Sequence, residues 1–152
     1  MAKILFLGAL ILLVLAIAAF LFIPKKMHSE FPRGKLDIGG VILNVEIADT
    51  AGARSIGLSG HAPLADNEGM YFIFPIPAIY PFWMKGMIFP IDVVWLRGEK
   101  IVGIAENAAV PGSGKLEIYS PPSLVDRVLE INAGMAKKLG LVEGGMVRVP
   151  DL

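Results

Sequence analysis

Residues 69–96 read GMYFIFPIPAIYPFWMKGMIFPIDVVWL, and within them Lys85 and Asp92 are the only charges. So apolar a stretch invites the reading of a membrane-crossing helix. Pro75, Pro77, Pro81 and Pro90 exclude it, because a proline inside a helix removes a backbone hydrogen bond and clashes with the preceding turn. Lys85 and Asp92 would also be stranded in lipid. The same prolines cut the stretch into short apolar runs, which is the pattern of buried strands. Eight of the thirteen aromatic residues fall here, from Tyr71 to Trp95. Such density reads as a core wall, with a groove for a sugar or an apolar ligand as the alternative.

The flanks continue in short runs. Val41 to Ile47 passes into polar–apolar alternation after Gly39-Gly40 and predicts a half-buried strand. Further strands are expected over Gly69–Phe74, Tyr80–Met84, Asp92–Leu96, Lys100–Glu106 and Leu124–Ile131, with Arg97-Gly98-Glu99 as a hairpin turn. Asp49-Thr50 offers an N-cap for a short helical turn carrying Arg54 toward Gly57-Leu58. Asn132 and Gly140 read as cap and stop of a second short helix, and Val147–Val149 closes the sheet. The predicted fold is mainly β: a compact antiparallel β-sandwich or barrel with one or two short helices, preceded by an N-terminal transmembrane helix.

That last element comes from Ile4 to Ile23, twenty residues without a charge, between Lys3 and Pro24-Lys25-Lys26. As a helix they span about 30 Å, one hydrocarbon core. A cleaved signal peptide would end in a polar, small-residue region. Here Ala16-Ile17-Ala18-Ala19 runs on into Phe20-Leu21-Phe22-Ile23. The chain therefore divides into an anchor (1–25) that meets membrane lipid through residues 4–23, a basic juxtamembrane linker (26–37), and a globular domain (38–152). Residues 1–35 hold five Lys/Arg and one acid, whereas 36–152 hold nine and thirteen. A mildly acidic domain without a basic stripe argues against nucleic acid as a partner. The positive charges beyond the anchor lean toward a cytoplasmic domain.

Several chemistries are excluded. The chain has no cysteine and two histidines, His28 and His61, which removes thiolate zinc sites, cysteine nucleophiles and disulfides and leaves no metal expected. Pro111-Gly112-Ser113-Gly114-Lys115 lacks the spacing of a phosphate-binding loop, and Gly57-Leu58-Ser59-Gly60 that of a nucleophile elbow. No cofactor is implied. The polar residues worth following are acids in apolar surroundings. Asp92 sits amid Pro90, Ile91, Val93 and Val94, where an unpaired carboxylate is costly. Arg54 is the better partner than Lys85, since its planar fork bridges two carboxylates. Glu130 is placed similarly, and the expectation is that Arg54, Asp92 and Glu130 converge. Two carboxylates also raise the possibility of acid–base chemistry on a glycan.

The run Phe82-Trp83-Met84-Lys85-Gly86-Met87-Ile88-Phe89-Pro90-Ile91-Asp92-Val93-Val94-Trp95 resembles the signature of the domain of unknown function 192 family. Arg54-Ser55-Ile56-Gly57-Leu58, Glu68-Gly69-Met70-Tyr71-Phe72-Ile73-Phe74 and Val128-Leu129-Glu130-Ile131-Asn132-Ala133-Gly134 resemble three further elements of that family, in order. The family commonly has Asn-Thr where Gly86-Met87 stands, and often Gly-Asp where Gly144-Gly145 stands. The resemblance implies a mostly β domain, commonly exported or membrane-anchored, with no established activity. It therefore implies an extracytoplasmic domain on a single-pass cell-membrane anchor, against the charge count. The expected function is a membrane-tethered, non-enzymatic binding or envelope-associated module, with Arg54, Trp83, Lys85, Asp92, Glu130 and Asn132 as candidate ligand-binding residues. The alternatives are a hydrolase of envelope glycans using Asp92 and Glu130, and a domain that docks on a membrane protein through Trp83 and Trp95.

Overall fold

Alternation of apolar and polar side chains builds most of the sheet. In β1 (Arg33–Ile38) and β2 (Val41–Ala48), Leu36, Ile38, Leu43, Val45 and Ile47 turn inward, and the Gly39-Gly40 turn, both glycines at positive φ, joins the strands. The computed structural model describes residues 31–112 and 116–151. After β2 the chain forms α1 (Ala51–Ile56), then β3 (Glu68–Ala78), β4 (Phe82–Trp83), β5 (Ile91–Arg97), β6 (Lys100–Ala108), β7 (Ile118–Tyr119), β8 (Val125–Asn132), α2 (Met135–Lys138) and β9 (Arg148–Asp151).

Seven strands make one sheet in the order β6-β5-β8-β3-β2-β1-β9, and β4 and β7 form a separate two-stranded ribbon. The large sheet is curled into a half-barrel, so the mainly β expectation with two short helices holds. The pairing is antiparallel with one exception: β2 and β3 run parallel, Asn44 beside Glu68 through Ala48 beside Phe72. A parallel pair needs a crossover. Here it is the segment 49–67, which carries α1 over one face of the sheet.

Other expectations shift in detail. The predicted strand Tyr80–Met84 shrinks to Phe82–Trp83. The strand begun at Gly69 runs on to Ala78 through Pro75 and Pro77, because its pairing with β8 lapses between Ile73 and Ala78, where no ladder donor is required. The second helix starts at Met135 after Gly134, so Asn132 ends β8 rather than capping a helix. Thr50 does cap α1, accepting a hydrogen bond from the Ala53 amide at 3.1 Å. The expected anchor lies outside the described residues. Among the described residues no helix is long and apolar enough to cross a membrane.

The sheet buries both faces. On one, Tyr71, Val94, Leu96, Leu129 and Ile131 pack with Leu36, Leu43, Met135 and Ala136. On the other, Met70, Phe72, Val93, Trp95 and Val128 pack with Met84, Met87 and Phe89, and the inner side of the ribbon adds Phe82 and Tyr119. A strand covered on both faces reads as a continuous apolar run, which is why Ile91 to Leu96 shows no alternation and is buried throughout.

Candidate functional site

Strand register decides which polar groups meet. β8 lies between β3 and β5, with Glu130 opposite Met70 and Val93, and Ile131 opposite Asp92. Because successive side chains point to opposite faces, Asp92 and Glu130 are on opposite sides of the sheet. The expected convergence of three residues fails at Asp92, and the paired-carboxylate arrangement of a glycan hydrolase fails with it. Neither acid forms an ion pair with Arg54 or Lys85 among the described residues.

Asp92 is 0% exposed and needs no cation. Its Oδ1 accepts from the Asn107 amide and its Oδ2 from the Ala136 amide, both at 2.8 Å. Asn107 has φ 55° and sits where the β5–β6 register slips between Ile91 and Val93, so its amide is one that a bulge withdraws from the ladder. Ala136 is in the first turn of α2, whose amides have no partner within the helix. One carboxylate thus satisfies two amides that the backbone cannot. Its role is to join β5, β6 and α2.

Glu130 is the opposite case. It is 6% exposed, among Met70, Phe72, Val93 and Val128, and its carboxyl has no hydrogen-bond or ion-pair partner among the described residues. Burial pushes its pKa from the ordinary 4.5 to about 8, with no opposing charge near enough to restore it. The carboxyl is therefore protonated at neutral pH.

Glu130 lies in the wall of a cleft of about 330 Å³, between α1 with its following loop and the β4 segment, lined also by Arg54, Ser55, Ser59, Phe72, Phe82, Trp83 and Met87. This is the lower end of the size of small-molecule sites. Phe72 and Phe82 meet edge to face with ring centres 5.2 Å apart and fix the inner wall. Trp83 is 52% exposed at the mouth, in β4 beside Ile118, while Trp95 is buried at 4% and cannot serve a docking surface. The outer loops are tied together, with Ser59 Oγ donating to the Lys85 carbonyl and the Gly60 amide to that of Gly86, both at 2.9 Å. Gly86 has φ 76°, and a Cβ there would lie 3.2 Å from the Ser59 Cβ, so this position favours glycine. Met87 makes the cleft more apolar than a threonine would.

Arg54 is held at the cleft by the middle of β3. Its Nη1 donates to the carbonyls of Asp49 and Ile73, the latter at 2.8 Å, and its guanidinium lies 5.2 Å from the centre of the Phe74 ring. The Lys85 side chain is exposed and does not line the cleft. Asn132 Nδ2 donates to the Leu64 carbonyl at 2.7 Å, pinning the chain that leads into β3. Of the six candidates, Arg54, Trp83 and Glu130 share the cleft, and Lys85, Asp92 and Asn132 do not. Ser55, Ser59, Phe72 and Met87 went unnamed as candidates, since an apolar or hydroxyl side chain gives no sign in the sequence that it borders a cavity. Among the described residues no three His, Asp or Glu side chains gather as a metal site.

Residues 34–149 match the family DUF192, described as an uncharacterized ACR. The chain belongs to this family. No curated protein matches it. Two crystal structures are similar to this DUF192 chain. One is a Sinorhizobium meliloti 1021 protein provisionally described as a transcription regulator, 30% identical, with a TM-score of 0.69 over 79% of this chain and 94% of that one. The other is a Novosphingobium aromaticivorans DSM 12444 protein of unknown function, 27% identical, with a TM-score of 0.73 over 80% of this chain and 89% of that one.

Proposed function

We propose that this DUF192 chain is a membrane-tethered, non-enzymatic binding domain of the cell envelope, whose small ligand enters the cleft between α1 and β4. The observation that carries the reading is Glu130: a carboxyl with no partner among the described residues, in the wall of an open cleft beside an exposed tryptophan. Its carboxyl oxygens reach the cleft, where a ligand can supply the hydrogen bonds that the neighbouring side chains do not. The aromatic rings add contact area with few rotamers to freeze. The uncharged run Ile4–Ile23 supports the tether, and the family's usual export supports an extracytoplasmic side.

The test is ligand capture by the full chain in detergent. Envelope glycans, lipids and small metabolites are screened by thermal shift against wild type, Trp83→Ala and Glu130→Gln. A true ligand raises the melting temperature of the wild type and loses that effect in both variants. A ligand whose effect survives both substitutions places binding elsewhere and overturns the cleft.

A further inference from the structure

Arg54 and Glu130 are the two ionisable side chains lining the cleft among the described residues, and their bonding differs. Arg54 already donates to two backbone carbonyls and lies over Phe74. Glu130 receives no hydrogen bond from the described residues. The rings of Phe72, Phe82 and Trp83 share this space, and an aromatic face attracts a cation through its quadrupole. A cation with N–H donors answers both features, forming a charge-assisted bond to the carboxylate once Glu130 has released its proton while resting on the rings.

We infer that the cleft selects a small organic ammonium, a primary amine on an apolar body, whose N–H groups bond the Glu130 carboxylate while the body lies against Phe72, Phe82 and Trp83. The inference rests on the cleft being the ligand site proposed above. It carries a proton exchange. Glu130 holds its proton up to about pH 8, so at neutral pH the incoming ammonium keeps its own protons and the carboxyl releases one to solvent. The groups facing Glu130 are Met70 and Phe72 from β3, Val93 from β5, Trp83 from β4 and Arg54 from α1, and Arg54 is the one ionisable group among them. Arg54 stays charged throughout the range, so the titration that couples to binding is that of Glu130.

The experiment is calorimetric titration of the full chain in detergent with benzylamine, benzyl alcohol and benzoate, three probes that share a ring and differ in charge. Benzylamine binds tightest. Its association constant rises about tenfold per pH unit from pH 6 and levels above pH 8, with close to one proton released per amine at pH 6. Glu130→Gln, a near-isostere, melts cooperatively, loses at least ~10-fold in benzylamine affinity and shows no pH slope. Benzoate or benzyl alcohol binding more tightly, with loss in Trp83→Ala, overturns the ammonium inference and leaves the cleft standing. An affinity for benzylamine that falls with rising pH also overturns it. No binding of any probe at millimolar concentration overturns it too, and the wider screen then judges the cleft separately.

Discussion

Asp92 and Glu130 both have little exposure on adjacent strands, yet one is kept by two amide donors and the other, among the described residues, by none. Asp92→Asn leaves an amide nitrogen facing a backbone N–H, so one of the two bonds becomes a donor–donor contact. The expected loss is about 2–4 kcal/mol, read from the urea midpoint. Glu130 gives a pH dependence of definite sign. Unfolded, it releases its proton near its ordinary 4.5, and folded it holds the proton up to about 8. Between those values the folded state binds more protons, so its contribution to stability falls as pH rises, by about 1.4 kcal/mol per unit at most, and levels above pH 8. Glu130→Gln removes that slope. Urea midpoints of wild type and Glu130→Gln at pH 5, 7 and 9 are therefore expected to diverge in favour of the variant; parallel curves would mean that the carboxyl is solvated in the folded state.

Helix α1 has no buried residue of its own, and Arg54 ties it to the sheet through the Ile73 carbonyl and the Phe74 ring. Arg54→Lys keeps the charge but loses the planar fork and the stacking, so a loss of about 1–2 kcal/mol is expected in chemical denaturation. β3 depends on an absence: a Cβ on Gly69 would lie 2.9 Å from the Glu130 carbonyl and 3.1 Å from Leu129 and Ile131 side-chain carbons. Gly69→Ala is expected to cost about 1–3 kcal/mol by overpacking, with a matching fall in melting temperature. What the sequence discloses and what it hides follow from the range of the forces involved. The Thr50 cap, the turn at Gly98 and the strand through Asp92 rest on neighbours a few residues away, and local chemistry was enough to place them. The parallel pairing of β2 with β3 depends on where the crossover lands. The partners of Asp92 come from 15 and 44 residues away and belong to backbone amides, which carry no side-chain signature. Glu130 was recognisable as an acid in apolar surroundings, whereas its side of the sheet follows from a register that no single strand reveals.

At the scale of the whole molecule, the proposal to test is a tether at the apolar segment of residues 4–23 with the domain on the outer side of a membrane. With no native cysteine, Ser123→Cys at an exposed position gives a clean probe. An impermeant maleimide is expected to label it in intact cells, and labelling only after lysis would put the domain inside. Intact-mass measurement is expected to find residues 4–23 still attached. The pairing of β1 with β9 bears on how the chain is made. β1 emerges more than a hundred positions ahead of the strand that covers its edge. During synthesis the ladder of β1 therefore stands open to any passing strand, the situation in which nascent chains stick to one another. Arg33, Lys35 and Asp37 alternate along that edge. Such charges oppose pairing of that edge with a foreign strand until β9 covers it.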